Sequence, residues 1–200
     1  MPGRRPSWRA WASGVDERKS PRLEGYDYSR SGYYFVTVCT RNRACLFWGP
    51  GRAGLGPAPT PPLNEYGRLV AEAWADLPNH IAGVELDKFV VMPNHVHGII
   101  RLTGTCPVPI LPASPAPFVG AGPRPAHSPV PLTEVVRQFK SFSARRVNAI
   151  RGTPGVSLWQ RSYYDHVIRN EPDYLRIWNY IDTNPLQWAE DEYYTALERG

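Results

Sequence analysis

The chain has 200 residues with a formal net charge of +5 (23 basic minus 18 acidic), and it carries 22 Pro, seven Trp and eleven Tyr. That length suits one decorated domain or two small ones, with enough apolar side chains for a real core. No apolar run approaches the roughly 20 residues a membrane helix needs, Met1–Pro6 is followed by no signal-type apolar stretch, and three irregularly spaced cysteines (Cys39, Cys45, Cys106) exclude a disulfide framework or a zinc pattern. A reducing cytoplasm is the expected compartment. The positive surplus permits a polyanion such as nucleic acid as partner without requiring one.

Residues 1–22 are rich in Arg, Pro and Ser and read as a flexible basic arm. Tyr33 to Thr40 is a strand by its β-branched and aromatic content. A Gly- and Pro-rich loop follows, and Asn64 then caps a helix whose stripe is Leu69, Val70, Ala73, Trp74 and Leu77, with Pro78 ending it. Val84 to Met92 and His95 to Leu102 are two strands joined by a turn at Pro93-Asn94. Residues 103–131, rich in Pro, Ala and Gly, read as a long surface insertion. Pro131 opens a second helix with Val135, Val136, Phe139, Phe142 and Val147 as its stripe and Arg137, Lys140, Arg145 and Arg146 opposite. Trp159 to Ile168 is a fourth strand. Pro172 and Asp173 start a third helix with Tyr174, Ile177, Trp178 and Ile181 on one face. It stops before Pro185, and a short helix packed through Trp188 and Tyr193 completes the domain, 23–190, ahead of a tail at 191–200.

The order strand, helix, strand, strand, helix, strand, helix predicts an α+β fold. It is a ferredoxin-like split βαβ (βαββαβ) antiparallel sheet, with both main helices on one face and a C-terminal helix added.

Two features carry chemistry. Side chains alternate along a strand, so His95 and His97 point the same way and Val96 the other. Two imidazoles on one face are either half of a divalent-metal site or merely two polar positions on a strand near the sheet's edge. On the last helix, Tyr180 falls roughly 110° from the centre of the apolar stripe, at its boundary, with Asn184 one turn above it. It reads as the helix tyrosine least needed for packing, either a nucleophile or a boundary residue with its hydroxyl in water.

Several blocks stand in order: Tyr34-Phe35-Val36-Thr37, Met92-Pro93-Asn94-His95-Val96-His97-Gly98, Phe139-Lys140-Ser141, Trp159-Gln160-Arg161 through Tyr164-Asp165-His166, and Tyr180-Ile181 with Asn184-Pro185. Together they resemble the REP-associated tyrosine transposases, a branch of the single-tyrosine HUH transposases, over most of residues 24–190. The resemblance implies the ferredoxin-like fold and Mg²⁺ or Mn²⁺ on His95 and His97. It implies Tyr180 as nucleophile and Asn184 as third ligand or support, where relatives often have Gln. It further implies cleavage and rejoining of single-stranded DNA near hairpins through a covalent 5′-phosphotyrosine. The protein would work as a homodimer or a monomer on the bacterial nucleoid. Arg137, Lys140 and Arg161 are the expected backbone contacts, and Trp159, Tyr163 and Tyr164 the expected stacking residues. Asp165 and His166 fall on the strand before the tyrosine helix, with His166 expected to satisfy a buried hydrogen bond. Two rival readings remain: a non-catalytic hairpin-DNA binder on this fold, and a water-using metal hydrolase built on His95, His97 and His166.

Overall fold

A computed structural model describes residues 23, 25–49, 63–104 and 130–195. The expected basic arm at 1–22, most of the 103–131 insertion and the end of the tail lie outside the described residues.

Four strands form one antiparallel sheet in the order β2-β3-β1-β4: β1 Gly32–Cys39, β2 Val84–Val91, β3 His95–Leu102 and β4 Tyr164–Ile168. The helices are α1 Glu65–Ala75, the one-turn α2 Leu77–His80, α3 Leu132–Arg151 and α4 Glu171–Thr183, followed by a 3-10 segment Asn184–Glu190. This is the ferredoxin-like arrangement, with β1 and β3 in the interior of the sheet. Two boundaries differ from expectation. The fourth strand begins at Tyr164, and Trp159 makes only an isolated bridge to Thr40. Pro78 does not stop a helix but sits in the first turn of α2, where its missing N–H is of no consequence.

The central strands are covered on both faces, which is why they read as near-continuous apolar runs. Tyr34, Val36 and Val38 of β1 and Val96, Ile100 and Leu102 of β3 join α1 and α3 in the larger core, around Trp74, Phe139 and Trp159. Phe35 and Cys39 of β1 and Ile99 of β3 face α4 in the smaller core, with Ile177, Tyr180, Ile181, Trp188 and Tyr193. Gly98 permits the first packing: a Cβ there would meet the Trp74 ring at 2.4 Å. Trp74 lies flat on Phe89 with centroids 4.4 Å apart.

Local chemistry fixes the helix ends. Asn64 Oδ1 accepts the Gly67 N–H at 2.9 Å, and Asn170 Oδ1 accepts the Asp173 N–H at 2.9 Å. Glu171 and Asp173 place negative charge in the first turn of α4. Gly152, at φ 64°, closes α3 in the left-handed conformation that favours glycine.

The register of β2 slips between Leu86 and Phe89, which frees Asp87 and Lys88 from the ladder. Both reach α4. The Tyr174 hydroxyl donates to Asp87 Oδ2 at 2.6 Å, while Lys88 pairs with Asp182 and lies 3.9 Å over the Trp178 ring. The bulge thus pins the tyrosine helix to the sheet of its own chain.

Candidate active site

The turn Met92–Asn94 and the start of β3 organise the site. Asn94 is fully buried, and its Nδ2 donates to the carbonyls of Tyr193 (2.9 Å) and Arg43 (3.2 Å) and to Thr195 Oγ1 (3.1 Å). Two carbonyl acceptors fix which end of the amide is nitrogen. Asn94 Oδ1 therefore faces His95 Nδ1 at 2.8 Å and must accept its proton. That tautomer leaves His95 Nε2 with a free lone pair, pointed at His97 Nε2 only 2.9 Å away. His97 is held from behind by Thr37 Oγ1 at 2.8 Å on Nδ1 and is stacked on Phe35. A hydroxyl can donate or accept, so Thr37 suits His97 with or without a cation at Nε2.

The expected site at the sheet's edge is corrected here: the histidines are on an interior strand and fully buried. Residues 191–195 lie over them, with the Tyr193 ring 4.7 Å from His95 and 6.1 Å from His97. Burial holds both imidazoles well below their ordinary pKa, His97 at about 3, so both are neutral at pH 7, the form that binds metal.

Tyr180 comes in from α4. Its hydroxyl is 3.3 Å from His97 Nε2 of the same chain and 3.5 Å from Asp191 Oδ2. The helical wheel placed it at the boundary of the apolar face. In the structure Tyr180 is only 9% exposed and shares the buried face with Ile177 and Ile181, while Tyr174 and Trp178 are half-buried. Burial, and after it the charge of Asp191, pushes the phenol well above its ordinary pKa. Burial likewise raises the Asp191 carboxyl to about 6, against the Tyr193 N–H that Oδ1 accepts at 2.6 Å.

Asp191 is the residue that sequence reasoning missed. His95, His97 and Asp191 each offer one ligand atom, all within 4.8 Å of one another. Two neutral imidazoles and a carboxylate suit Mn²⁺, Zn²⁺ or Mg²⁺. Asn184, the expected third ligand, is buried against the same groups, and its amide favours the anionic forms of both Tyr180 and Asp191.

The expected DNA contacts separate. Arg137 is exposed and paired with Glu134, and Arg161 is exposed. The Lys140 amine instead donates to the carbonyls of Gln160 (2.6 Å) and Arg161 (2.9 Å), tying α3 to the approach to β4. Trp159 and Tyr163 belong to the larger core, and Trp159 Nε1 donates to Ser143 Oγ at 2.9 Å. Neither offers a free ring face. Tyr164 is half-buried beside the smaller core. His166 Nε2 is 2.7 Å from Asp173 Oδ2, a structural tie to the start of α4.

No family model matches the chain. An uncharacterized protein of Haemophilus influenzae is 36% identical over 190 residues, which cover 91% of this chain and 96% of that protein. The solved structure of a REP-associated tyrosine transposase bound to a REP hairpin aligns at a TM-score of 0.50 with 22% identity, over 83% of this chain and 73% of its own. Among the described residues no helix is long and apolar enough to cross a membrane. The chain belongs to one family with the Haemophilus influenzae protein, and it carries the fold of the REP-associated tyrosine transposase.

Proposed function

We propose that this protein is a metal-dependent transposase that cleaves and rejoins single-stranded DNA near hairpin elements through a covalent link to Tyr180. One observation supports it above the rest: the Tyr180 hydroxyl, His97 Nε2 and Asp191 Oδ2 meet within 3.5 Å of the phenol oxygen, on three separate elements. The structural neighbour, which is bound to a REP hairpin, supports hairpin DNA as the substrate class.

His95, His97 and Asp191 would hold the divalent ion, which supplies charge neutralisation at the phosphate and lowers the cost of the phenolate. A carboxylate has about four lone-pair sites, so Asp191 can ligate and still accept a proton. Tyr180 gives its proton to Asp191 Oδ2 and its oxygen attacks phosphorus. The phosphorus–O3′ bond breaks, leaving the 5′ phosphate on Tyr180, and the departing oxygen takes up a proton as a free 3′ hydroxyl. Attack by a 3′ hydroxyl reverses these steps and rejoins strands without ATP. Of the expected DNA contacts, Arg137 and Arg161 are on the surface, where they would meet the backbone outside this centre. The Asp87 and Lys88 contacts to α4 support a reaction within one chain, in which the nucleophile meets its own histidines.

The test uses the wild-type protein with Mn²⁺ and labelled single-stranded DNA from the flanks of its own gene. The wild type should give an adduct that survives denaturing electrophoresis, and Tyr180→Phe should give none while still binding hairpin DNA. An adduct from Tyr180→Phe would remove the nucleophile assignment. Hairpin binding by the wild type with no cleavage of any strand would favour a non-catalytic binder.

A further inference from the structure

The loop that leaves β1 has a backbone conformation that L residues rarely adopt. Asn42 (φ 58°) and Arg43 (φ 55°) both lie in the left-handed region, and among the described residues they are the only non-glycine residues with positive φ. The loop is nevertheless tied down. Thr40 Oγ1 lies 2.8 Å from the Ala44 carbonyl and 3.0 Å from that of Asn94. The Arg41 N–H donates to the Leu158 carbonyl at 2.8 Å and the Arg43 N–H to that of Thr40 at 3.1 Å. Asn94 Nδ2 donates to the Arg43 carbonyl at 3.2 Å, from the same side chain that sets His95. Strain kept in place by surroundings of this kind marks positions where function fixes a side chain.

The side chains so fixed are two uncommitted cations. Arg41 and Arg43 are exposed, and among the described residues neither pairs with a carboxylate, whereas Arg101, Arg137, Arg146 and Arg176 each do. The Arg43 guanidinium lies 5.3 Å over the Tyr193 ring, and that ring is 4.7 Å from His95. Arg43 thus stands one ring away from the histidines. The Gln160 N–H donates to the Cys39 carbonyl at 2.9 Å, so the loop also runs beside the segment that leads to exposed Arg161.

Resting on the function proposed above, we infer that Arg41 and Arg43 grip backbone phosphates of the unpaired strand, next to the phosphate presented to Tyr180. A guanidinium matches a phosphate with two parallel N–H donors, and it stays charged at any working pH. Its place outside the buried centre lets it hold the strand without taking part in the chemistry there. A fixed backbone under both arginines sets where the strand lies before the reaction, which is the part of the barrier that positioning removes. Contacts to phosphate carry no sequence information, so this loop would set register and leave recognition of the hairpin to other surfaces.

The experiment uses the full chain carrying Tyr180→Phe with one equivalent of Mn²⁺ and two labelled probes. One is a hairpin with unpaired flanks, taken from beside the protein's own gene, and the other is the same hairpin cut back to its stem. Arg41→Ala and Arg43→Ala should each weaken binding of the flanked probe about ten-fold, as for a lost hydrogen bond to a charged group. Each should also lower the slope of log affinity against log salt by about 0.7, the single-strand value for one phosphate contact. Binding of the stem alone should not change, and Arg43→Lys should keep the slope. Arg41→Ala leaves Arg43 on the Tyr193 ring, so its effect cannot come from loosening that ring. Full-strength binding of the flanked probe by either alanine variant, an equal loss on the stem alone, or no binding of the flanked probe by the parent would overturn the assignment. Adduct formation by the wild type separates the two ideas. An adduct with full-strength binding by the arginine variants removes the grip and keeps the transposase, whereas a flank-specific loss with no adduct keeps the grip and removes strand transfer.

Discussion

The two faces of the sheet are made from the same strands and do opposite things. On the α1/α3 face, Val36, Val38, Val96 and Ile100 meet Trp74, Phe139 and Trp159 in packing that is almost wholly apolar, with the Trp159 indole donating to Ser143. On the α4 face the same strands present Thr37, His95 and His97 to Tyr180, Trp188, Tyr193 and Asp191. A one-residue step along β3, from Val96 to His97, crosses from apolar packing to reactive groups. The first face can carry the stability of the domain because it asks nothing of its side chains but shape. The second holds four titrating groups largely away from water, a cost that a core selected for stability alone would not keep.

The sharpest way to break this contrast is to cut one large side chain on each face. Trp74→Ala should cost about 3–5 kcal/mol, the loss typical of emptying a buried aromatic site, read as a lower urea midpoint. Tyr180→Phe removes only a hydroxyl whose contacts are long, 3.3 and 3.5 Å, and should change stability by less than about 1 kcal/mol. Comparable losses from both would mean that the α4 face is as structural as the other.

Next in size is the pH dependence of the metal-free protein. The histidines have folded-state pKa values below the unfolded 6.5, so the unfolded chain binds more protons as pH falls, and stability present above 6.5 is lost toward about 3. Asp191 runs the other way: its folded value of about 6 lies above the ordinary 3.8, so its contribution is intact below 3.8 and lost as pH rises through 6. Asp191→Asn should therefore stabilise the metal-free protein at pH 7 by about 2 kcal/mol and steepen the acid limb. Denaturant melts from pH 4 to 8 in chelator check it. An unchanged profile would show that Asp191 is solvated in solution.

The sequence made the scaffold readable and left the site only half so. The β-branched and aromatic runs of β1 and β3 marked strands, Asn64 and Pro172 marked helix starts, and the alternation of His95, Val96 and His97 put both imidazoles on one face. These signals are local, set by period and by backbone chemistry. What failed was long-range. The wheel centred the face of α4 among Tyr174, Ile177, Trp178 and Ile181, but the bulge at Asp87 and Lys88 engages Tyr174 and Trp178 at the rim, and the buried face is Ile177, Tyr180 and Ile181. Asp191 stands in an acidic run, Glu190-Asp191-Glu192, that reads as solvated. Only the path of the chain after Asn184 brings it under Tyr180. Trp159 and Tyr163 looked like stacking platforms because an aromatic on a mixed-polarity segment gives no sign of which core will take it.

Lys140 provides the smallest and most discriminating prediction, because its amine sits where a DNA contact was expected but serves the scaffold. Both of its hydrogen bonds go to carbonyls of the chain entering β4, and burial lowers its pKa, as befits an amine held by the protein rather than by solvent. Lys140→Met keeps the stem and removes the donors, so it should cost about 1 kcal/mol in stability. It should leave hairpin-DNA affinity and its salt dependence unchanged in the folded protein. Arg161→Ala, on an exposed neighbour, should do the reverse: no measurable loss of stability, weaker binding, and a slope of log affinity against log salt reduced by about 0.9, the value for one phosphate contact. If Lys140→Met lowers the salt slope as Arg161→Ala does, the amine leaves its two carbonyls to meet the DNA, and the helical face opposite the active site takes part in binding as well as in stability.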